Sequence, residues 1–266
     1  MTTQVSPVNP QDLYVEEKGS GPAILLIPHA GATAATWGEM AEGLAQTCRV
    51  IAYDRRGYHR SGGAQGRSVA EHTADAAALV DARAAAPVVA VGISVGATIA
   101  MDLARLHPEL VRAVVAHESP WHVTRRRPTR SQLAALSKMA WLSARGREPE
   151  AAATFLRFAY SYRDGGSAWD RFPDAWRQAV SDNARAALTD IRVAIGSYPS
   201  AGQLAAIDRP VVCSCGERSQ ETIIRVTRAL AEVIPSATFK QVPGAGHAAA
   251  FDAPAEFAKV VLDTLA

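Results

Sequence analysis

Residues 87–106, PVVAVGISVGATIAMDLARL, decide how this chain is read. The apolar run Val88–Val91 reads as a buried strand. Gly92-Ile93-Ser94-Val95-Gly96 follows, and then Ile99, Leu103 and Leu106 recur at helical spacing. Strand, Gly-x-Ser-x-Gly and helix, in that order, make the context in which a serine becomes a nucleophile. The turn is tight enough that only small residues fit on either side, which Gly92 and Gly96 supply. It lifts the Ser94 hydroxyl clear of the sheet and sets it at a helix N-terminus, where the backbone dipole favours developing negative charge. An idle serine in a glycine-rich turn, or a phosphate loop, is the alternative. No Gly-Lys-Ser/Thr follows to make a phosphate loop, so the nucleophile is preferred.

A nucleophilic serine needs a base. Near the C-terminus Ala237–Val242 reads as a strand, followed by Pro243-Gly-Ala-Gly-His247 and a last helix from about Pro254. His247 therefore sits on a loop after the final strand, at the same edge of a parallel sheet as Ser94. Most loop histidines are simply solvated. A histidine in this context can take the serine proton and return it to a leaving group, because its ordinary pKa lies near neutrality.

With these features in hand the chain resembles the α/β-hydrolases along essentially its whole length. Ile27-Pro-His29-Ala-Gly31-Ala after an early strand and Tyr53-Asp-Arg-Arg-Gly57 after the next add to the resemblance. It implies an oxyanion hole made by the backbone N–H groups of Gly31 and Val95, each such donor being worth about 3 kcal/mol. Ala30 stands where that family usually has glycine. Asp54 reads as a scaffold residue of its turn, and His59, in Gly57-Tyr-His59-Arg-Ser61, as part of a surface loop.

The triad acid is less direct. The family usually carries an aspartate after the penultimate strand, in Gly-x-x-Asp. Here that loop reads Gly216-Glu217-Arg218-Ser219, with serine in the aspartate's place. A second position, past the strand that follows the nucleophile helix, reads His117-Glu118-Ser119-Pro120-Trp121. Glu118 is the preferred acid, with Glu217 and Glu221 as rivals. Glu221 opens a helix, where the dipole alone favours a glutamate. The His-Glu-x-Pro stretch resembles the corresponding one of zearalenone lactonases, hydrolases that open a macrocyclic resorcylate lactone and use a glutamate there. Gly165-Gly-Ser-Ala-Trp169 resembles a segment whose tryptophan contacts substrate in that family, and Gly196-Ser-Tyr-Pro199 echoes another piece.

Composition sets the outer bounds. At 266 residues and 48% apolar, the chain can build one large α/β domain with a proper core. A net charge of +2 gives no reason to expect nucleic acid. The cluster Arg125-Arg126-Arg127 with Arg130 reads as a solvated face. No run has the length of a membrane span, and Met1–Pro10 lacks the apolar stretch of a signal peptide, so a cytoplasmic location is expected. Cys48, Cys213 and Cys215 lack ligand-like spacing, and no metal or other cofactor is implied.

Strand patterns at 12–17, 23–28, 49–53 and 111–116 alternate with helical ones at 37–46 and 69–84, and alternation resumes from 209. This predicts an α/β fold, a mostly parallel sheet with helices on both faces. The core is expected over 1–119 and 208–266. Helical patterns near 131–145, 148–162 and 172–188 predict a cap insertion over 120–207. Four of the five tryptophans (Trp121, Trp141, Trp169, Trp176) fall within it, favouring an apolar, aromatic substrate over a sugar or charged metabolite. Trp169, beyond the Gly-Gly turn, and Trp121 are the expected substrate contacts.

These readings imply a serine hydrolase acting on a carboxylic ester, a lactone first among them. General carboxylesterase, carbon–carbon bond hydrolase and cofactor-free oxygenase chemistry are the enzymatic rivals. A ligand-binding receptor on the same fold is the non-enzymatic one, favoured by the vacant Gly-x-x-Asp position. The partners expected are an apolar, aromatic ester or lactone and a second copy of the chain in a homodimer.

Overall fold

The computed structural model describes residues 2–8, 11–121, 129–196 and 198–265. The expected Arg125–Arg127 cluster therefore lies outside the described residues, while Arg130 is exposed. Eight strands form one sheet in the order β1-β2-β4-β3-β5-β6-β7-β8. They are β1 (Thr2–Val8), β2 (Gln11–Lys18), β3 (Ala23–Ile27), β4 (Arg49–Tyr53), β5 (Val88–Ile93), β6 (Val111–His117), β7 (Val211–Gly216) and β8 (Ala237–Val242). β1 and β2 are an antiparallel hairpin, β2 runs antiparallel to β4, and β3 to β8 are all parallel.

The central strands are buried on both faces, and that is why they read as unbroken apolar runs. Along β3, Ile24 and Leu26 enter one core and Leu25 and Ile27 the other. On the first face lie α1 (Gly38–Leu44), α10 (Ala249–Asp252) and α11 (Pro254–Leu262), bringing Met40, Leu44 and Phe257 against Ile24, Val89 and Val115. On the second lie α2 (Val69–Ala82), α3 (Val95–Leu106) and α9 (Glu221–Val233), which pack Leu79, Ile99, Leu103 and Leu230 against the sheet. Cys213 and Cys215 fill space in β7, and burial pushes each thiol up to about 12, so both behave as small hydrophobes.

Between β6 and β7 the described residues form α4 (Arg130–Ser143), α5 (Glu148–Ala159), α6 (Asp174–Asp182), α7 (Ala184–Gly196) and α8 (Ala201–Ala205). The single helix expected over 172–188 is two, broken at Asn183. Asn183 turns its amide back to the Ala179 carbonyl and accepts the His59 N–H at 2.7 Å. A polar side chain that bonds nearby backbone in this way ends a helix rather than continuing it. β1 is an addition to the sequence reading, which began its strands at residue 12.

Candidate active site

The C-terminal ends of β5, β6 and β8 converge on Ser94, Glu118 and His247, which line one cavity. Ser94 stands between β5 and α3 with φ 56° and ψ −123°, a conformation costly for a residue with a side chain. The flanking glycines make it possible. A Cβ on Gly92 would lie 2.1 Å from the Gly96 carbonyl oxygen, and one on Gly96 would lie 2.2 Å from that of Ile27. The Ser94 N–H is held by the His117 carbonyl at 2.9 Å. Val95 opens α3, so its N–H has no acceptor inside the helix.

His247 Nδ1 donates to Glu118 Oε2 at 2.6 Å. This bond fixes which ring nitrogen carries the proton and leaves Nε2 as the basic one. Glu118 is buried and its backbone is left-handed, with φ 49°. Its N–H donates to the Ser214 carbonyl at 2.8 Å, and the next residue, Ser119, shares a 3.0 Å bond with Thr98 of α3. Burial pushes the Glu118 carboxyl upward. The bond from His247, the His117 and His247 rings beside it and the Ser219 hydroxyl together outweigh that and hold it down at about 2.

The vacant aspartate position has a use. Glu118 Oε1 accepts the Gly216 N–H at 3.0 Å and the Ser219 hydroxyl. Ser219, standing where relatives carry the acid, is thus a donor to the acid that has moved to β6. Its rivals point elsewhere: Glu217 is exposed and accepts the Gly244 N–H, and Glu221 is exposed in the first turn of α9. Asp54 is buried and accepts the Ala34 N–H and the Arg60 guanidinium, as a scaffold residue does. His59 is half-exposed beside it.

The structure places three further expected residues as follows. The Gly31 N–H, expected in the oxyanion hole, donates to the Tyr58 hydroxyl at 3.2 Å, and Gly31 lines a second cavity. Trp169 lines neither cavity. The Gly165-Gly166 turn folds back, with the Tyr162 N–H on the Gly166 carbonyl, and Trp169 stacks behind Tyr160 with ring centroids 6.5 Å apart. Trp121 is buried, its indole N–H donating to the Pro199 carbonyl at 3.2 Å, and it lines neither cavity. The apolar wall around Ser94 is made instead by Pro120, Phe155, Phe158 and Ile223.

The second, smaller cavity is lined by His29 and Tyr160 with Phe172, Trp176, Val180 and Phe251 among others. The sequence gives none of these six an individual role, Trp176 entering only among the tryptophans that favour an aromatic substrate. His29 offered the one available signal, since it follows β3 at the sheet edge that carries the nucleophile. Among the described residues no group of three or more His, Cys, Asp or Glu is placed to hold a metal, and no helix is long and apolar enough to cross a membrane.

Residues 22–254 match the family model described as alpha/beta hydrolase fold. The chain belongs to that family. An uncharacterized hydrolase of Bacillus subtilis, YraK, is 38% identical over 120 residues, a match spanning 44% of this chain and 43% of YraK. The 2-(acetamidomethylene)succinate hydrolase of Mesorhizobium japonicum is 28% identical over 88% of this chain and 84% of its own. Among solved structures, the enol-lactonase of Burkholderia xenovorans superimposes with a TM-score of 0.80 at 19% identity, covering 98% of this chain and 99% of that one. At that identity the likeness is one of fold.

Proposed function

We propose that this α/β-hydrolase is a serine hydrolase that cleaves a carboxylic ester with an apolar, aromatic body, and that the ester is a lactone of the resorcylate type. The observation carrying the reading is the 2.6 Å bond from His247 to Glu118 in the cavity that also holds Ser94 on its strained turn. His247 Nε2 takes the Ser94 proton as the hydroxyl oxygen attacks the carbonyl, and Glu118 stabilises the imidazolium that forms. The Val95 N–H receives the oxyanion. The expected second donor, the Gly31 N–H, is engaged by the Tyr58 hydroxyl at 3.2 Å. The imidazolium then protonates the departing alkoxide, and a water deprotonated by His247 releases the acid from Ser94.

A lactone fits because its alkoxide remains tethered after ring opening. The α4–α8 insertion then acts as a cap whose phenylalanines exclude bulk water while one water is admitted. The His-Glu-x-Pro stretch at 117–120 and the aromatic lining of both cavities support this substrate class. The receptor reading rested on a missing acid, and Glu118 bonded to His247 removes that reason. The test is hydrolysis of a macrocyclic resorcylate lactone beside a simple aryl ester. Wild type is expected to open the lactone and Ser94→Ala to bind it without turnover. Turnover retained in Ser94→Ala would refute the serine mechanism, and aryl-ester hydrolysis alone would refute the lactone.

A further inference from the structure

The loop that carries His247 is held at the residue before it. The Gly246 carbonyl oxygen lies 3.2 Å from Nε2 of His117, and Nδ1 of the same ring lies 3.1 Å from the Ser214 hydroxyl. A carbonyl can only accept, so Nε2 carries the proton and Nδ1 accepts from Ser214. Burial lowers the His117 pKa and keeps the ring neutral, with a single proton to place. The Gly246 N–H donates to Oδ2 of Asp252 at 2.9 Å. Both backbone polar groups beside the proposed base are therefore tied to buried side chains, His117 fully enclosed and the Asp252 side chain 1% exposed.

The other oxygen of Asp252 leads out to the helical insertion. Oδ1 accepts the Tyr162 hydroxyl at 2.6 Å, and the Arg171 guanidinium lies 3.1 Å from that hydroxyl and 3.3 Å from Oδ1. The phenol thus accepts from Arg171 and donates to Asp252. Burial and the bond to Asp252 push it up to about 12, so it stays a donor at neutral pH. Tyr162 also meets the histidine loop directly. A Cβ on Gly246 would lie 2.8 Å from the Tyr162 ring, so glycine is what lets the ring pack this close. The Gly165-Gly166 turn, with the Tyr162 N–H on the Gly166 carbonyl at 3.1 Å, sets the tyrosine in place. Through this one side chain the insertion bears on the residue next to His247 twice, by ring contact and by way of Asp252.

We propose that Tyr162 is a positioning residue for His247: its hydroxyl holds Asp252, Asp252 holds the Gly246 N–H, and the imidazole is thereby kept in line between Glu118 and Ser94. The inference rests on the hydrolase reading for its effect on turnover and on the hydrogen bonds alone for its effect on His247. The Glu118 bond fixes one end of the ring and the Gly246 backbone fixes the other. A base displaced by a fraction of an ångström loses rate without losing substrate affinity. The insertion is then part of the catalytic apparatus as well as a cover over it.

Tyr162→Phe removes the hydroxyl and keeps the ring. With phenyl acetate as substrate, kcat is expected to fall about tenfold while KM stays within about twofold. The His247 Nδ1 proton, followed by NMR without substrate, should exchange with water about tenfold faster. Asp164→Asn is the control. It removes the exposed 3.0 Å ion pair with Arg218 that joins the same loop to the core, leaves Asp252 untouched, and should match wild type in both readouts. Wild-type kcat and exchange in Tyr162→Phe, a loss confined to KM, or an equal loss in Asp164→Asn overturns the proposal. Where Tyr162→Phe fails to fold, Arg171→Gln, at a half-exposed position, decides on the same readouts with a change of about threefold. The exchange measurement keeps the two readings apart. Faster exchange in Tyr162→Phe, when wild type neither turns over the ester nor takes an aryl phosphonate on Ser94, leaves the positioning and removes the hydrolase. Turnover by wild type with Tyr162→Phe unchanged in both readouts does the reverse.

Discussion

Ser219 and Glu118 show how a single side chain can be read twice. As a sequence feature, Ser219 marks a missing acid; in the fold its buried hydroxyl donates to the carboxylate that replaces it. A hydroxyl bonded to an ionised carboxylate lowers its pKa and fixes its orientation. Ser219→Ala should therefore reduce kcat/KM about tenfold, the effect of losing one hydrogen bond to a charged group. It should also move the acid limb of the pH profile upward, because Glu118 then protonates at higher pH. An unchanged profile with an unchanged rate would make Ser219 a mere space-filler. Ser94, Glu118 and His247 were legible because each lies within a few residues of a strand end on one sheet edge. Ser219 was legible only as a departure, since its partner is 101 residues away. The stacking of Trp169 on Tyr160 was not legible, because it is set by packing that no local pattern encodes.

Among the elements, the parallel strands and their flanking helices were readable from periodicity, because a strand buried on both faces has little freedom in composition. The insertion was readable as helical but not in detail, and its attachment to the core was not readable at all. That attachment is a buried cluster. Asp190 of α7 accepts from Arg55 and Tyr58, both from the loop after β4, while His72 of α2 lies 3.3 Å away. Tyr58 in turn receives the Gly31 N–H, so α7 is linked through two side chains to the loop beside the nucleophile. Removing one partner leaves a buried charge uncompensated. Asp190→Ala is expected to cost about 3–5 kcal/mol, whereas the paired change Arg55→Met with Asp190→Leu should recover most of it. Urea denaturation measures both. A loss below about 1 kcal/mol in the single variant would mean the insertion is held by its apolar contacts alone.

For the whole molecule, buried titratable groups set the response to acid. Burial lowers the pKa values of His29, His72 and His117, the first to about 3, so these rings stay neutral in the fold but take up protons in the unfolded chain below about 6.5. Glu118, held at about 2, protonates in the unfolded chain near 4.5 and in the fold only well below that. In both cases the unfolded chain binds more protons, so stability falls as pH falls. His29 acts from about 6.5 down to 3, His72 and His117 from about 6.5 downward, and Glu118 from about 4.5 down to 2. Midpoints of thermal unfolding should decline steadily from pH 7 to pH 4, with a shallower slope in His29→Leu. A flat response over that range would contradict the buried, neutral state of these rings.

The central claim is that Ser94 is a nucleophile activated by His247 and Glu118. Intact-mass spectrometry after exposure to an aryl phosphonate, with peptide mapping of the adduct, tests it most directly. One adduct on Ser94, formed roughly a thousandfold more slowly in Glu118→Gln, is the predicted result. No adduct, an adduct on another residue, or labelling of Ser94 at an undiminished rate in Glu118→Gln would contradict it.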